Sequence, residues 1–197
     1  LPPWRKDGHI TVVAQSGGIG FAFFDHGQPK QLPFNHIITT GNEACMEALD
    51  VVDHLLDQGK TDAFILFMEG IKNGARLVPV AEKALKAGKP IIVTKIGSSD
   101  AGERAAASHT ASLAGAYPSY QGIFQRYGII EASDIEEVVD IAAGFSYHGR
   151  NLPMGKRVGI TTASGGGGGW MADMCVAAGL EVPELDPDTR ATIDEHL

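Results

Sequence analysis

Short β-branched runs alternate with helically spaced segments along most of this chain, and that alternation narrows the possible folds more than any other feature. His9-Ile10-Thr11-Val12-Val13-Ala14, Asn35 to Thr40, Ala63 to Met68 and Pro90 to Lys95 read as strands, with Ile129-Ile130-Glu131 as a short fifth. Between them lie helical patterns over Gly18 to His26, Glu43 to Gln58, Ala75 to Ala87, Tyr117 to Tyr127 and Ile135 to Phe145. In the second of these, Met46, Leu49, Val52 and Leu56 are spaced for one apolar face. The third ends at Gly88, a normal helix stop.

The strands are apolar throughout instead of alternating, which implies a parallel sheet covered on both faces. The expected fold is therefore α/β, a flavodoxin-like doubly wound parallel sheet. Such sheets bind ligands beyond the carboxyl ends of their strands. Residues 1–148 would form this domain, and Gly149 to Lys156 reads as a linker by composition. From residue 157 the pattern restarts, with a strand over Arg157 to Thr162, a Gly-rich loop and a helix over Met171 to Ala178. Residues 157–197 thus read as the beginning of a second, similar domain, too short for an independent core.

Composition removes several function classes. A formal charge of −8 without a Lys/Arg cluster argues against nucleic acid. The longest apolar run, Ala63 to Met68, is far too short to span a membrane. The first residue is Leu1 and no signal peptide is visible, so the chain reads as an internal piece of a longer, cytoplasmic protein. Cys45 and Cys175 are isolated, which favours two reduced core residues over a disulfide. No His/Cys/Asp/Glu cluster has metal-ligand spacing, so no protein-held metal is expected.

The residues that carry chemistry sit where a strand passes into a helix or loop. Ser16-Gly17-Gly18 follows the first strand, so its backbone N–H groups would point outward at a helix N-terminus, an anion site. The helix dipole alone supplies only ~0.3–1 kcal/mol. A phosphate would need direct N–H bonds as well, each worth roughly 1.5–3 kcal/mol when charge-assisted. The competing reading is a tight turn that needs positive φ. Ser164-Gly165-Gly166, opening a run of five glycines, repeats the arrangement, and so many glycines are costly unless something approaches closely. Glu69 ends the third strand and is either a solvated loop carboxylate or the partner of an imidazole at the same sheet edge. Lys95 either neutralises a phosphate or simply ends a strand. His109 lies among small residues, Ala107-Ser108-His109-Thr110-Ala111, where it is accessible to a reagent or packed. The other six histidines read as structural.

Taken in order, Ser16-Gly17-Gly18, Thr40-Gly41-Asn42, Glu69-Gly70, Lys95-Ile96-Gly97-Ser98, Ser108-His109-Thr110 with Leu113-Ala114-Gly115, and Ser164-Gly165-Gly166 through Asp173 resemble the nucleoside-diphosphate-forming acyl-CoA synthetases, the superfamily of succinyl-CoA synthetase. The resemblance implies an acid-thiol ligase, ADP-forming, that interconverts acyl-CoA, ADP and phosphate with organic acid, CoA and ATP. It implies that His109 is the catalytic nucleophile, phosphorylated during turnover, and that Glu69 steadies the phosphohistidine. Ser16, Gly17, Gly18, Ser164, Gly165 and Gly166 would bind the phosphoryl group from two helix N-termini.

On the same resemblance CoA and ATP/ADP with Mg²⁺ are substrates of the full enzyme and none is bound tightly by this piece. The implied partners are a CoA-binding domain and an ATP-grasp domain or subunit, and a homo-oligomer is allowed. Two features depart from the family pattern: Ala14 stands where many relatives have Ser, and the glycine run where many have Asn-Ala-Gly-Gly. The alternatives are a ligase-like regulatory region of a protein lysine acetyltransferase, which often lacks the histidine, and a non-catalytic acyl-CoA-sensing module.

Overall fold

The computed structural model describes residues 7–102, 104–105, 117–149 and 151–196. The chain divides after residue 150 into two compact units.

In the first unit, strands β1 (Ile10–Ala14), β2 (Phe34–Thr39), β3 (Ala63–Met68), β4 (Ile91–Lys95) and β5 (Ile130–Glu131) form one sheet. Its order is β2-β1-β3-β4-β5, and every pairing is parallel. The helices are α1 (Gly17–Gly27), α2 (Ala48–Gln58), α3 (Leu77–Ala87), α4 (Tyr117–Tyr127) and α5 (Ile135–His148). This is the flavodoxin-like order.

The apolar strands make sense as a layer covered on both sides. Val13, Phe64, Leu66, Met68, Ile91 and Val93 pack against residues of α2, α3 and α4, such as Val52, Val80 and Phe124. Their sequence neighbours Val12, Ala14, Ile65, Phe67 and Ile92 turn to the other face, where Phe23 of α1 and Val138, Val139 and Ala142 of α5 meet them. Each fully buried side chain of this kind contributes ~1.5–3 kcal/mol. One face alone could not bury both sets, so helices on both sides follow from the strand composition.

Three expectations need correction here. The helix expected from Glu43 starts only at Ala48, because Glu43 sits at φ 53 and Glu47 and Asp50 form a reciprocal cap. Met46 therefore lies before the helix and is 57% exposed instead of packing on its apolar face. The cysteines are free, but Cys45 is exposed and Cys175 half-buried, so neither is a core residue.

The second unit contains α6 (Gly165–Ala177) and α7 (Pro187–Asp194). The glycine run expected as a loop is the first part of α6, started by the Ser164 hydroxyl accepting the Gly167 N–H at 3.1 Å. Segment 157–162 forms no strand among the described residues. Its one bridge, Arg157 to Glu181, has no further ladder beside it.

Candidate functional site

The parallel sheet brings the carboxyl ends of β1, β2, β3 and β4 to one edge, and the loops leaving them carry the candidate residues. At the end of β1, Ser16 is extended (φ −112°, ψ 126°) and caps α1, its hydroxyl accepting the Ile19 N–H at 3.4 Å. The Gly20 N–H donates to the Ser16 carbonyl at 3.0 Å, the first bond of the helix. Gly17 and Gly18 precede any intrahelical acceptor, so helix geometry gives their N–H groups no carbonyl partner. The first turn carries no acidic side chain that would oppose an anion.

Neither glycine has a positive φ. Beyond its chain neighbours and its own helix backbone, a methyl group on either would also meet no described atom within 4 Å. The tight-turn reading therefore does not explain them. Nothing inside the described chain demands a glycine at 17 or 18, whereas close approach of a ligand to the backbone would.

Glu69 lies just past β3, the strand beside β1, and is only 5% exposed. It is not a solvated loop carboxylate. Its main chain is tied on both edges. On the β1 side the Gln15 Oε1 accepts the Glu69 N–H at 2.5 Å and the Gly70 N–H at 3.1 Å, while Gln15 Nε2 donates to the Gly70 carbonyl at 2.7 Å. On the β4 side the buried Lys95 donates from Nζ to the Glu69 carbonyl at 2.9 Å and also to the Ile96 carbonyl. The same ammonium stands 5.0 Å from the centre of the Tyr120 ring, a cation–π distance. Burial pushes the Tyr120 phenol above its ordinary pKa. Of the two readings of Lys95, these contacts favour a strand-end clamp.

The loop after β2 is built with equal care. The Glu43 carboxylate, 6% exposed, accepts from the Ala48 N–H at 2.7 Å and the Thr40 hydroxyl at 3.1 Å. Lys72 donates to the carbonyls of Asn42 and Glu43 at 2.7 and 3.0 Å. These bonds hold a non-glycine residue in the left-handed region, which costs roughly 1–3 kcal/mol.

Past β4 and β5 a cleft of about 530 Å³ is lined by Lys95, Gly97, Ser98, Tyr117, Glu131 and Glu137, among others. The Tyr117 hydroxyl donates to Glu131 Oε1. That bond, with burial and the carboxylate charge, pushes the phenol up to about 12.

The structure thus brings Ser16, Gly17, Gly18 and Glu69 to one sheet edge. His109 lies outside the described residues. Ser164, Gly165 and Gly166 open a second capped helix in the second unit, where Gly165 and Gly166 also face open space. Among the described residues no group of three or more His, Cys, Asp or Glu could hold a metal ion. No described helix is long and apolar enough to cross a membrane. Gln15 and Glu43 are what sequence reasoning missed. The adjacency of Gln15 to Ser16 gave one hint, but its partners are main-chain groups that only the fold brings near.

Together, the sheet order and the strand-end residues define a doubly wound α/β domain whose carboxyl edge has a Ser16-capped, glycine-opened helix N-terminus beside the buried Glu69 carboxylate. The chain belongs to the family described as the succinyl-CoA ligase like flavodoxin domain, which matches residues 7–145. It is 37% identical over 192 residues to the acetate–CoA ligase (ADP-forming) II subunit alpha of Pyrococcus furiosus, covering 98% of this chain and 41% of that protein. It is 33% identical over 192 residues to the acetate–CoA ligase (ADP-forming) I of Archaeoglobus fulgidus, covering 98% of this chain and 27% of that one. Among solved structures it is similar to acetyl-coenzyme A synthetase 1 of Ca. Korarchaeum cryptofilum in complex with phosphate and ADP. The TM-score is 0.78 at 29% identity, over 91% of this chain and 38% of that one. The chain therefore spans well under half the length of these relatives.

Proposed function

We propose that this chain is the phosphoryl-carrying ligase portion of an ADP-forming acyl-CoA synthetase. The observation that carries the reading is the pairing of the bare, Ser16-capped start of α1 with the buried Glu69 on the adjacent strand end. The similar acetate–CoA ligases and the phosphate and ADP in the solved relative support it. They also favour it over the acetyltransferase-region and acyl-CoA-sensing readings.

In the proposed cycle phosphate attacks the acyl carbonyl of acyl-CoA, the thioester C–S bond breaks, and CoA leaves as an acyl phosphate forms. A ring nitrogen of His109 then attacks phosphorus, the bond from phosphorus to the acyl oxygen breaks, and the organic acid leaves as a carboxylate. ADP finally takes the phosphoryl group from the phosphohistidine and becomes ATP. Glu69 would accept the second ring N–H, fixing the tautomer and stabilising the charged ring. Gly17 and Gly18 through backbone N–H bonds and Ser16 through its hydroxyl would hold phosphoryl oxygens, and Ser164, Gly165 and Gly166 would form a further phosphate-binding helix start. ATP and ADP would enter with Mg²⁺ on an ATP-grasp domain or subunit, and CoA on its own domain. A cytoplasmic location and homo-oligomerisation are consistent with this role.

The test is labelling of the full-length protein with γ-labelled ATP and Mg²⁺. An acid-labile, base-stable phosphoprotein that disappears in His109→Ala is expected, and label surviving that substitution refutes the assignment. Glu69→Gln should lower the yield or lifetime of the label. If it changes neither, Glu69 has no part in the mechanism.

A further inference from the structure

We propose that Gln15 is a positioning residue for Glu69: its carboxamide fixes the turn at 69–70 against the start of α1, setting the direction in which the carboxylate leaves the strand end. The proposal rests on the function given above and extends it to a residue which that reading does not use.

The backbone of Gln15 continues the sheet, its N–H donating to the Phe67 carbonyl at 3.1 Å. Its side chain then takes over where the ladder stops. Two N–H groups, of Glu69 and Gly70, converge on Oε1, and Nε2 returns a bond to the Gly70 carbonyl. A primary amide has two lone pairs and two N–H donors. Three of these four positions are therefore spent on two consecutive residues of the neighbouring strand end. That use is specific. A carboxylate at 15 could accept both N–H groups but could donate nothing to the Gly70 carbonyl, and it would set a second negative charge near Glu69. A hydroxyl could not span the same pair.

The position of Gln15 in the chain gives the contact its meaning. The next residue is Ser16, the cap of α1, so one residue separates the side chain that grips the Glu69 main chain from the helix start assigned to the phosphoryl group. The contact ties the residue before the α1 cap to the end of β3. The Lys95 bond to the Glu69 carbonyl restrains the opposite edge, so Gln15 supplies the half of the restraint that couples the carboxylate to the phosphate-binding turn.

The test compares Gln15→Met in two backgrounds of the full-length protein, the wild type and Glu69→Gln, using labelled ATP and Mg²⁺. Thermal unfolding and amide hydrogen exchange at Glu69 and Gly70 are followed in parallel. Met keeps the length and loses all three bonds. The expected result is faster exchange at these two amides and a phosphoenzyme yield or lifetime lower by roughly tenfold to a hundredfold, the scale of a small misplacement of a reacting group. In Glu69→Gln the same substitution should add little, because its effect passes through the carboxylate. An equal loss in both backgrounds means a general structural role and overturns the proposal. An unchanged phosphoenzyme in wild type carrying Gln15→Met overturns it as well. Where the wild type itself takes no label, the proposed function fails, and this inference falls with it. A labelled wild type with an indifferent Gln15→Met leaves the function standing and removes only the role of Gln15.

Discussion

The Lys95 ammonium donates to the main-chain carbonyl of Glu69 at 2.9 Å, from a side chain only 6% exposed. A cation is thus spent on backbone carbonyls at the sheet edge where an anion is expected to bind. The cost of burying the ammonium is offset by two carbonyl acceptors and the face of Tyr120. Removing it would take the ammonium donor from both carbonyls, the Glu69 one in a buried contact. We expect Lys95→Met to destabilise the protein by about 1–3 kcal/mol, the cost of leaving buried polar groups unsatisfied, measured as a lower midpoint in urea. An unchanged midpoint would mean that water reaches these carbonyls freely.

Gly17→Ala and Gly18→Ala should separate stability from function. Both positions are helical and offer open space for a methyl group, and alanine is the better helix former by up to about 1 kcal/mol. Unfolding should therefore be unchanged or harder. Phosphoenzyme formation should fall roughly tenfold or more, because the added methyl group would hold the phosphate away from the backbone N–H groups, and one charge-assisted N–H bond to phosphate is worth about 1.5–3 kcal/mol. Gly8→Ala gives the opposite case, since its methyl group would sit 2.2 Å from the Phe34 carbonyl oxygen. That variant should be destabilised. Full labelling in both Gly17→Ala and Gly18→Ala would remove this turn from the phosphate site.

Tyr117 makes stability sensitive to alkali in a defined window. An unfolded tyrosine ionises near pH 10, whereas Tyr117 keeps its proton up to about 12 through its bond to Glu131. The stabilisation is complete below about pH 10 and is lost as pH rises through the folded value. The denaturation midpoints of the protein and Tyr117→Phe should thus differ by a constant amount up to about pH 10, and the gap should close toward pH 12. A gap that stays constant through pH 12 would show that the Tyr117–Glu131 bond does not hold the proton.

Much of the fold was readable because burial on both faces leaves a plain mark. A parallel strand covered on each side must be apolar throughout, so Ala63 to Met68 was identified with its bounds intact. Tyr117 to Tyr127 was equally clear as a helix. What failed were places where a local preference was overruled. Glu43 to Glu47 suits a helix by composition, yet the buried Glu43 carboxylate bonds the Ala48 N–H and starts the helix five residues later. The five glycines from Gly165 read as a loop because glycine is a poor helix former, yet Ser164 caps them into one.

The site divided in the same way. That Ser16, Gly17, Gly18 and Glu69 would meet at one sheet edge was legible from strand-end position. Gln15 was not, since its three bonds go to main chain 54 and 55 residues away, where side-chain identity leaves no trace. Ser108-His109-Thr110 is the strongest element of the resemblance but lies outside the described residues, so the role of His109 rests on the sequence and is left to the labelling experiment.

Because Gln15 and Lys95 grip residue 69 by its backbone, those two anchors do not depend on which side chain that residue carries. The holder and the tool are separate parts. Selection or design could exchange the acid for an amide, a shorter acid or a hydroxyl and alter reactivity while the strand end kept its place. A family built on this edge could therefore lose or retune its chemistry by one substitution without first surrendering its fold.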